Sequence, residues 1–182
     1  MANRARRGGI FVGALTAEAG VGTLVEALDL FPGARIDVVG SGPEGIRLAQ
    51  HPQIRLAGNL KGDELQARIE AAAYLVLPTL ADRQDAMADP MPRPVVDAFA
   101  NGTPVIASRG GSLADLIEPG RNGLLFEPGS ARDLARRLAW AEAFPEKMRQ
   151  MGECARADYQ ARFIQSYSYR TLFGERRRTA RL

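Results

Sequence analysis

The sequence contains few of the residues on which several classes of site depend. Its 182 residues include one cysteine, Cys154, and one histidine, His51. A single cysteine excludes an internal disulfide framework and is typical of a protein from a reducing compartment. We interpret His51, in a turn beside Pro52, as solvated. The sequence therefore provides no Ser-His-Asp triad and no histidine metal site.

Long apolar runs are also missing. The longest one, from Ala71 to Leu77, is too short to cross a bilayer. The polar, arginine-bearing start of the chain lacks the apolar centre of a signal peptide. We therefore expect a soluble, cytoplasmic protein. Basic and aromatic residues do not interleave as they do in a nucleic-acid groove, so no nucleic-acid partner is expected.

Charge is ordinary in amount but uneven in position. Charged residues make up 25% and apolar residues 46% of the chain, whose length suits one domain rather than two. The net charge of +3 comes largely from arginines near the two ends, at positions 4, 6, 7, 170, 176, 177, 178 and 181. We interpret residues 1–8 and 175–182 as frayed, solvated tails. Peripheral docking on an anionic membrane, at its inner face, is the alternative.

Short apolar runs alternate with segments of helical periodicity along the chain. The runs lie at 10–13, 36–39, 54–57, 74–77, 104–107 and 123–126. This alternation predicts an α/β fold, namely a doubly wound, Rossmann-like parallel sheet of about six strands with helices on both faces. Ligands of such sheets bind beyond the carboxyl ends of the strands. We therefore expect the site in the loops at 14–20, 41–45, 58–62, 79–93 and 108–113.

A glycine pattern follows the second predicted strand. Gly40-Ser-Gly-Pro-Glu-Gly45 matches the G-x-G-x-x-G fingerprint of dinucleotide sites, but that fingerprint belongs after the first strand. No acidic residue ends the next strand to hold a ribose. The pattern favours a tight turn in which Pro43 starts a helix, and an NAD-dependent oxidoreductase remains a distant alternative.

The stretch from Asp89 to Val105 predicts a loop that opens a short helix. Pro94 suits the first turn of a helix, and Gly102 suits its end. This places Asp89 before the helix and Asp97 in its first turn. A helix N-terminus favours phosphate, so this junction is a candidate anion site.

Residues 89–105, D-P-M-P-R-P-V-V-D-A-F-A-N-G-T-P-V, resemble the E-G-F-G-x-P-x-x-E-A-x-A-x-G-x-P-V motif of family 4 glycosyltransferases. Further matches follow the same order at 11–13, 38–43, 54–58, 78–79 and 120–129. The resemblance implies a single nucleotide-sugar-binding domain over residues 1–182, the C-terminal half of a GT-B glycosyltransferase. It implies retaining transfer of a hexose from a UDP-sugar or GDP-sugar, with no metal and no other cofactor, in polysaccharide or glycoconjugate biosynthesis. The acceptor-binding N-terminal half has no counterpart in 182 residues, so a partner chain or a missing domain is expected.

The resemblance also assigns roles to individual positions. Asp89 would face the donor sugar as the catalytic residue, and Asp97 would bind the ribose hydroxyls. Asn59 and Leu60 would flank the base. The remaining substrate-binding positions are Gly13, Ala14, Met91, Pro92 and Arg93.

The chain departs from the family pattern where the diphosphate would bind. Ala14 and Ala19 replace an arginine and a lysine, and Pro90-Met91-Pro92 replaces Gly-Phe-Gly. Arg93 is the candidate for a compensating phosphate contact, with Arg83 and Arg109 as weaker candidates. These departures leave a second interpretation open, in which the protein is a non-catalytic relative that serves as a binding or scaffolding module.

Overall fold

The computed structural model describes residues 6–80 and 92–164, which form a six-stranded parallel sheet. The strands are β1 (Gly9–Val12), β2 (Ile36–Val39), β3 (Ile54–Gly58), β4 (Tyr74–Leu77), β5 (Val105–Ser108) and β6 (Gly123–Phe126). Their order is β3-β2-β1-β4-β5-β6, which confirms the doubly wound, Rossmann-like prediction. The predictions made for Asp89, Met91 and Arg83, and for the tail over 175–182, lie outside the described residues.

Seven α-helices connect and follow the strands within the described part of the chain. They are α1 (Val21–Leu30), α2 (Gly45–Ala49), α3 (Gly62–Ala71), α4 (Arg93–Ala100), α5 (Leu113–Leu116), α6 (Ala131–Ala143) and α7 (Pro145–Tyr159), and a π-helical turn (Gln160–Ile164) follows α7. None of these helices is long and apolar enough to cross a membrane.

Two separate cores lie on the two faces of the sheet. Alternate strand residues are buried on opposite faces, so that Tyr74 and Val76 contribute to one core and Leu75 to the other. The first core is covered by α1 and α6, and the second by α3, α4 and α5. The inner strands are therefore mostly apolar, which is why short apolar runs predicted them, whereas no residue of the edge strand β3 is fully buried.

The position of a binding crevice follows from the strand order. β1 and β4 are neighbours, although two strands and three helices separate them in the chain. After β1 the chain passes to α1 on one face, and after β4 it passes to α4 on the other. The loops after β1 and β4 thus diverge at the carboxyl edge of the sheet, where doubly wound proteins bind ligands.

The predicted N-terminal tail is too long, because Arg6 is anchored. Its guanidinium donates to the carbonyl oxygens of Gly102 (2.5 Å) and Asn101 (2.8 Å) at the C-terminal end of α4. Gly8 accepts a hydrogen bond from Ala73 N at 2.8 Å. A cation at a helix C-terminus satisfies carbonyl groups that have no partner inside the helix. Residues 6–8 therefore belong to the folded domain.

The prediction for His51 is also wrong, because its side chain is only 8% exposed. Its Nδ1 accepts a hydrogen bond from Gln53 N (3.3 Å), and its Nε2 lies 3.2 Å from Asp29 Oδ1. With Nδ1 acting as acceptor, the proton is on Nε2 and is donated to Asp29. His51 thus connects the turn before β3 to α1.

A polar cluster joins α7 to the turn before β6. Asn122 is fully buried, and its Nδ2 donates to Leu116 O (3.1 Å) and to Asp158 Oδ2 (2.9 Å). Arg121 makes two hydrogen bonds with Asp158, of 2.8 and 2.6 Å. Burial by itself would raise the pKa of the Asp158 carboxyl, but the hydrogen bonds from Arg121 and Asn122 hold this pKa below its usual value.

We expect Asp158→Asn to lower the free energy of unfolding by about 2 kcal/mol at neutral pH, because an amide cannot pair with Arg121 as a carboxylate does. A depressed pKa means that the carboxylate stabilises the fold above its unfolded-state pKa and ceases to do so as the pH falls through its folded-state pKa. The difference between the two proteins should therefore shrink below about pH 4. Urea unfolding of both proteins at several pH values measures this difference in the free energy of unfolding. Glu153→Gln, on the exposed side of α7, is the control, and a pH-independent difference would contradict the assignment.

Candidate functional site

The loops after β1 and β2 continue side by side beyond the sheet. Gly13 N donates to Val39 O and Leu15 N to Ser41 O, both at 3.0 Å. Gly40 has a φ of +141°, and a Cβ at this position would lie 1.8 Å from Gly13 O. The predicted tight turn is thus a close approach of two backbones, which only glycine permits. Pro43 does not start a helix, because α2 begins at Gly45.

The two alanines that replace the family's cations differ in their surroundings. Ala14 is exposed at the carboxyl edge, immediately after Gly13. Ala19 is partly buried and packs against the core under α1. Between Gly13 and Gly20 the only ionisable side chain is that of Glu18. The loop after β1 therefore provides backbone groups but no positive charge.

Asn59 and Leu60, the predicted base-flanking pair, are directed to different surroundings. Asn59 is exposed, and its Nδ2 donates to Ser41 Oγ at 3.1 Å, which joins the ends of β2 and β3. Leu60 is partly buried and packs against the core on the α3 face. Asn59 is thus available to a ligand at the carboxyl edge, whereas Leu60 mainly supports the loop.

The N-terminus of α4 lies on the other side of the crevice. Pro92 precedes the helix, Arg93 is its first residue, and no acidic residue lies in its first turn. Asp97 is therefore one turn deeper than the sequence predicted. Pro94 has no N–H, and Val95 N and Val96 N already donate to Pro92 O. The helix end consequently offers a ligand fewer N–H groups than an ordinary N-terminus does.

Arg93 and Asp97 form an ion pair on the first two turns of α4. Arg93 Nε lies 3.0 and 3.1 Å from the two carboxylate oxygens of Asp97. The arginine side chain is 80% exposed, whereas the aspartate side chain is 13% exposed. Arg93 can therefore rotate away at small cost, while the carboxylate stays in place. The predicted phosphate ligand and the predicted ribose ligand are thus paired with each other.

Two further cations lie near the carboxyl edge. Arg109, a weaker candidate, follows β5 and pairs with Glu127 at 3.4 Å, and both side chains are largely exposed. Arg47 was missed by the sequence analysis. Its Nη1 lies 3.8 Å from the position of a Cβ on Gly22, in the first turn of α1. In the sequence, only the absence of a side chain at Gly22 indicates that Arg47 can lie close to α1. This indication can be recognised only when the relative positions of α1 and α2 are known.

Within residues 6–80 and 92–164, no three histidine, cysteine, aspartate or glutamate side chains are grouped as metal ligands. The arrangement that does exist is a polar crevice with backbone loops on one side and a paired arginine and aspartate on the other. It can hold a sugar hydroxyl pair at Asp97 and an anion at Arg93.

The strand order defines the class as a doubly wound α/β domain, and comparison with known proteins identifies the family. The chain belongs to the glycosyl transferases group 1 family, whose model matches residues 7–158. It is 29% identical over 156 residues to the sulfoquinovosyl transferase SQD2 of Arabidopsis thaliana, which corresponds to 82% of this chain and 29% of that protein. The GT-B resemblance found in the sequence is thereby confirmed.

Solved structures show the same architecture. The sucrose-phosphate synthase of Thermosynechococcus elongatus is 27% identical, with a TM-score of 0.76 over 94% of this chain and 47% of that one. Anabaena HepE in complex with UDP is 22% identical, with a TM-score of 0.76 over 93% of this chain and 49% of that one. The chain thus spans about half the length of these solved structures and less than a third of the plant relative.

Proposed function

We propose that this chain is the donor half of a glycosyltransferase and binds a UDP-sugar or GDP-sugar in the crevice between the loops after β1 and β4. The observation that carries the proposal is the half-buried Asp97 carboxylate on α4, paired with Arg93 at the topological switch point. The family supports transfer chemistry, and the UDP found with a structural neighbour supports the nucleotide. We further propose that the transfer is that of a hexose, retaining and metal-independent, as the resemblance of residues 89–105 to the family motif implies.

Activity would require an acceptor-binding half, supplied by a second chain or a further domain. The length of the relatives supports this part of the proposal, since the chain covers about half of the solved neighbours. Two large apolar side chains also remain exposed near the carboxyl edge, Ile46 at the start of α2 and Leu80 after β4. Exposed apolar side chains beside a crevice are suited to a partner surface. A cytoplasmic enzyme, peripheral at the inner membrane face and acting in polysaccharide or glycoconjugate biosynthesis, is consistent with this proposal.

Nucleotide binding requires Arg93 and Asp97 to exchange partners. The ribose hydroxyls donate to Asp97, and the released guanidinium of Arg93 contacts the diphosphate, with Arg47 beside α1 as a second cation. Arg93 and Asp97 form an ion pair with each other, and each would exchange this partner for a group of the nucleotide. Asp89 would contact the sugar, as the family motif implies.

We expect calorimetric titration to separate the two roles by comparing UDP with uridine. Arg93→Ala should weaken UDP binding about tenfold, because a charge-assisted hydrogen bond to phosphate is lost. The same variant should bind uridine no more weakly than the wild type, because Asp97 is then free. Asp97→Ala should weaken both ligands. Repeating the titration with GDP and the sugar conjugates identifies the base and the sugar.

The control for this titration is Arg149→Ala, which removes an exposed arginine paired with Glu146 and Glu153 on α7. It should leave both affinities unchanged. Equal weakening of UDP and uridine by Arg93→Ala would contradict the exchange of partners. Saturable binding that neither Arg93→Ala nor Asp97→Ala alters would contradict the location of the site.

A second candidate function, a non-catalytic binding or scaffolding module, is favoured by one specific observation. The family has a lysine at the position of Ala19. Here the alanine side chain packs against the core, so the folded domain occupies this position without a cation. A folded protein that binds neither UDP nor GDP, even with its partner half added, would favour this candidate over the first.

A further inference from the structure

A second cleft lies on the sheet face that α3 covers. Its volume is about 520 Å³, within the range of small-molecule sites. The cleft extends from Arg7 and Gly9, at the start of β1, along α3 to Leu60. Ala67 and Ala71 give α3 two short side chains in this lining, beside the longer ones of Glu64 and Arg68, next to the edge strand β3. Because Asp37 lies at its centre, we call it the Asp37 cleft.

One carboxylate holds two guanidinium groups in the Asp37 cleft. Arg55 donates from Nε to Asp37 Oδ1 (2.8 Å) and from Nη2 to Oδ2 (2.5 Å). Arg68 donates from Nη1 to the same Oδ2 at 3.1 Å. The two cations come from different elements, β3 and α3, and meet at one oxygen atom. The side chains of Asp37 and Arg68 are 22% and 35% exposed and so are partly shielded from solvent, whereas that of Arg55 is 67% exposed.

The guanidinium groups retain donors that Asp37 does not use. A guanidinium carries about five N–H donors, and Asp37 engages two nitrogens of Arg55 and one of Arg68. Arg7 adds a third guanidinium to the lining and has no ion-pair partner among the described residues. A single arginine would be enough to connect β3 to β2. Arg68 and Arg7 add donors to the lining beyond those that Asp37 engages.

The charge of the lining is positive. Arg7, Arg55 and Arg68 outnumber Asp37 and Glu64, which leaves one uncompensated positive charge in the cleft. Guanidinium groups match the oxygen geometry of a phosphate in a bidentate manner. The negative charge of a bound phosphate would offset this positive charge, and its oxygen atoms would accept hydrogen bonds from the remaining donors.

We propose that the Asp37 cleft binds the phosphate monoester group of a small molecule, held by Arg55, Arg68 and Arg7. The cleft has room for a phosphate and a further small group, which would extend along Ala67 and Ala71 towards Leu60. This site is separate from the crevice at Asp97 and does not depend on nucleotide binding there. A soluble phosphate ester and the headgroup of phosphatidic acid offer the same chemistry, and the experiment separates them.

The test uses the full chain and inorganic phosphate at low ionic strength. Binding is followed by calorimetry and by the NMR signals of the arginine Nε–H groups. We expect saturable binding that shifts the Arg55 and Arg68 signals. Arg55→Ala and Arg68→Ala should each weaken it about tenfold, as expected for the loss of a charge-assisted contact. Arg149→Ala, on α7 and outside both sites, should leave the phosphate affinity unchanged.

Arg7→Ala keeps the test interpretable if the other variants unfold. Arg7 is exposed and makes no ion pair among the described residues, so its removal should not alter thermal unfolding, whereas phosphate binding should weaken severalfold. Phosphate binding unchanged by both Arg7→Ala and Arg55→Ala would overturn the proposal, as would the absence of saturable binding in a folded sample.

Vesicles distinguish the two sources of the phosphate group. If the protein sediments with phosphatidylcholine vesicles that contain phosphatidic acid, and Arg55→Ala does not, the cleft binds a lipid headgroup. Phosphate binding without sedimentation would assign it to a soluble ester. Failure of the nucleotide site would instead appear as absence of UDP binding, with phosphate binding at the Asp37 cleft intact.

Discussion

Gly20→Ala is expected to lower the free energy of unfolding by at least about 4 kcal/mol, a large part of the stability of an ordinary domain. Gly20 has a φ of +76° at the start of α1, and a Cβ there would lie 1.7 Å from Pro78 O. The nearest atom belongs to the backbone after β4, so it cannot move aside as a flexible side chain would. The loops after β1 and β4 would have to separate. Denaturant unfolding with circular dichroism measures the loss.

Gly120→Ala is the matched control for this prediction. Gly120 has a similar φ of +84°, but nothing lies within 4 Å of a Cβ placed there. This variant should lose only about 1–2 kcal/mol, the conformational cost of a left-handed alanine. The difference between the two variants measures the contact between the loops at the carboxyl edge. Equal losses would show that Pro78 can move, and the crevice would then not have a fixed width.

Ala14→Arg is expected to strengthen UDP binding by about 3 kcal/mol, roughly a hundredfold. Ala14 is exposed after Gly13, so an arginine can be accommodated without disturbing the core. The family motif has an arginine at this position, and the loop after β1 has no positive charge of its own. An arginine there would reach the anion from the side of the crevice opposite Arg93. Calorimetry with UDP at low salt measures the gain, which should decrease as salt is added.

Ala17→Arg is the control for general charge effects. Ala17 is exposed on the same loop, so this variant adds the same charge a few residues away. It should raise the affinity only severalfold. Equal gains from both variants would mean that any positive charge near the edge is sufficient. No gain from either would place the diphosphate outside this crevice and would favour the non-catalytic interpretation.

Much of the fold could be predicted because its determinants are local. Five of the strands have short apolar runs because both of their faces are largely buried, and only the edge strand β3 is not. The predicted bounds differ from the observed ones by about one residue, as at β5. Alternation with helices then indicates parallel pairing, and the order in the sheet agrees with it. Local chemistry also located α4, where Pro94 lies in the first turn and the helix ends before Gly102.

The candidate site was predicted less completely. The motif spacing gave the positions of Arg93 and Asp97 on α4, but not their ion pair, and it placed Asp97 in the first turn instead of the second. The side chain of Leu60 packs on the α3 face, so the predicted contact with the base would fall to its backbone and stays a prediction. Asp89 stays a prediction of the family motif. Arg47 carries no motif, and its approach to the first turn of α1 depends on how two helices pack.

By itself, the sequence determined the strands, the fold class, the loops at the carboxyl edge and the family, because each depends on residues close together in the chain or on a motif read in order. Only the tertiary structure decided which distant side chains meet. Arg6 caps α4 from 95 and 96 residues away, Arg121 reaches Asp158 across 37, and Arg68 joins Arg55 at Asp37 across 31. Such pairs depend on the crossover connections that place one helix beside one strand. The local periodicity of the sequence does not determine which helix and strand these are.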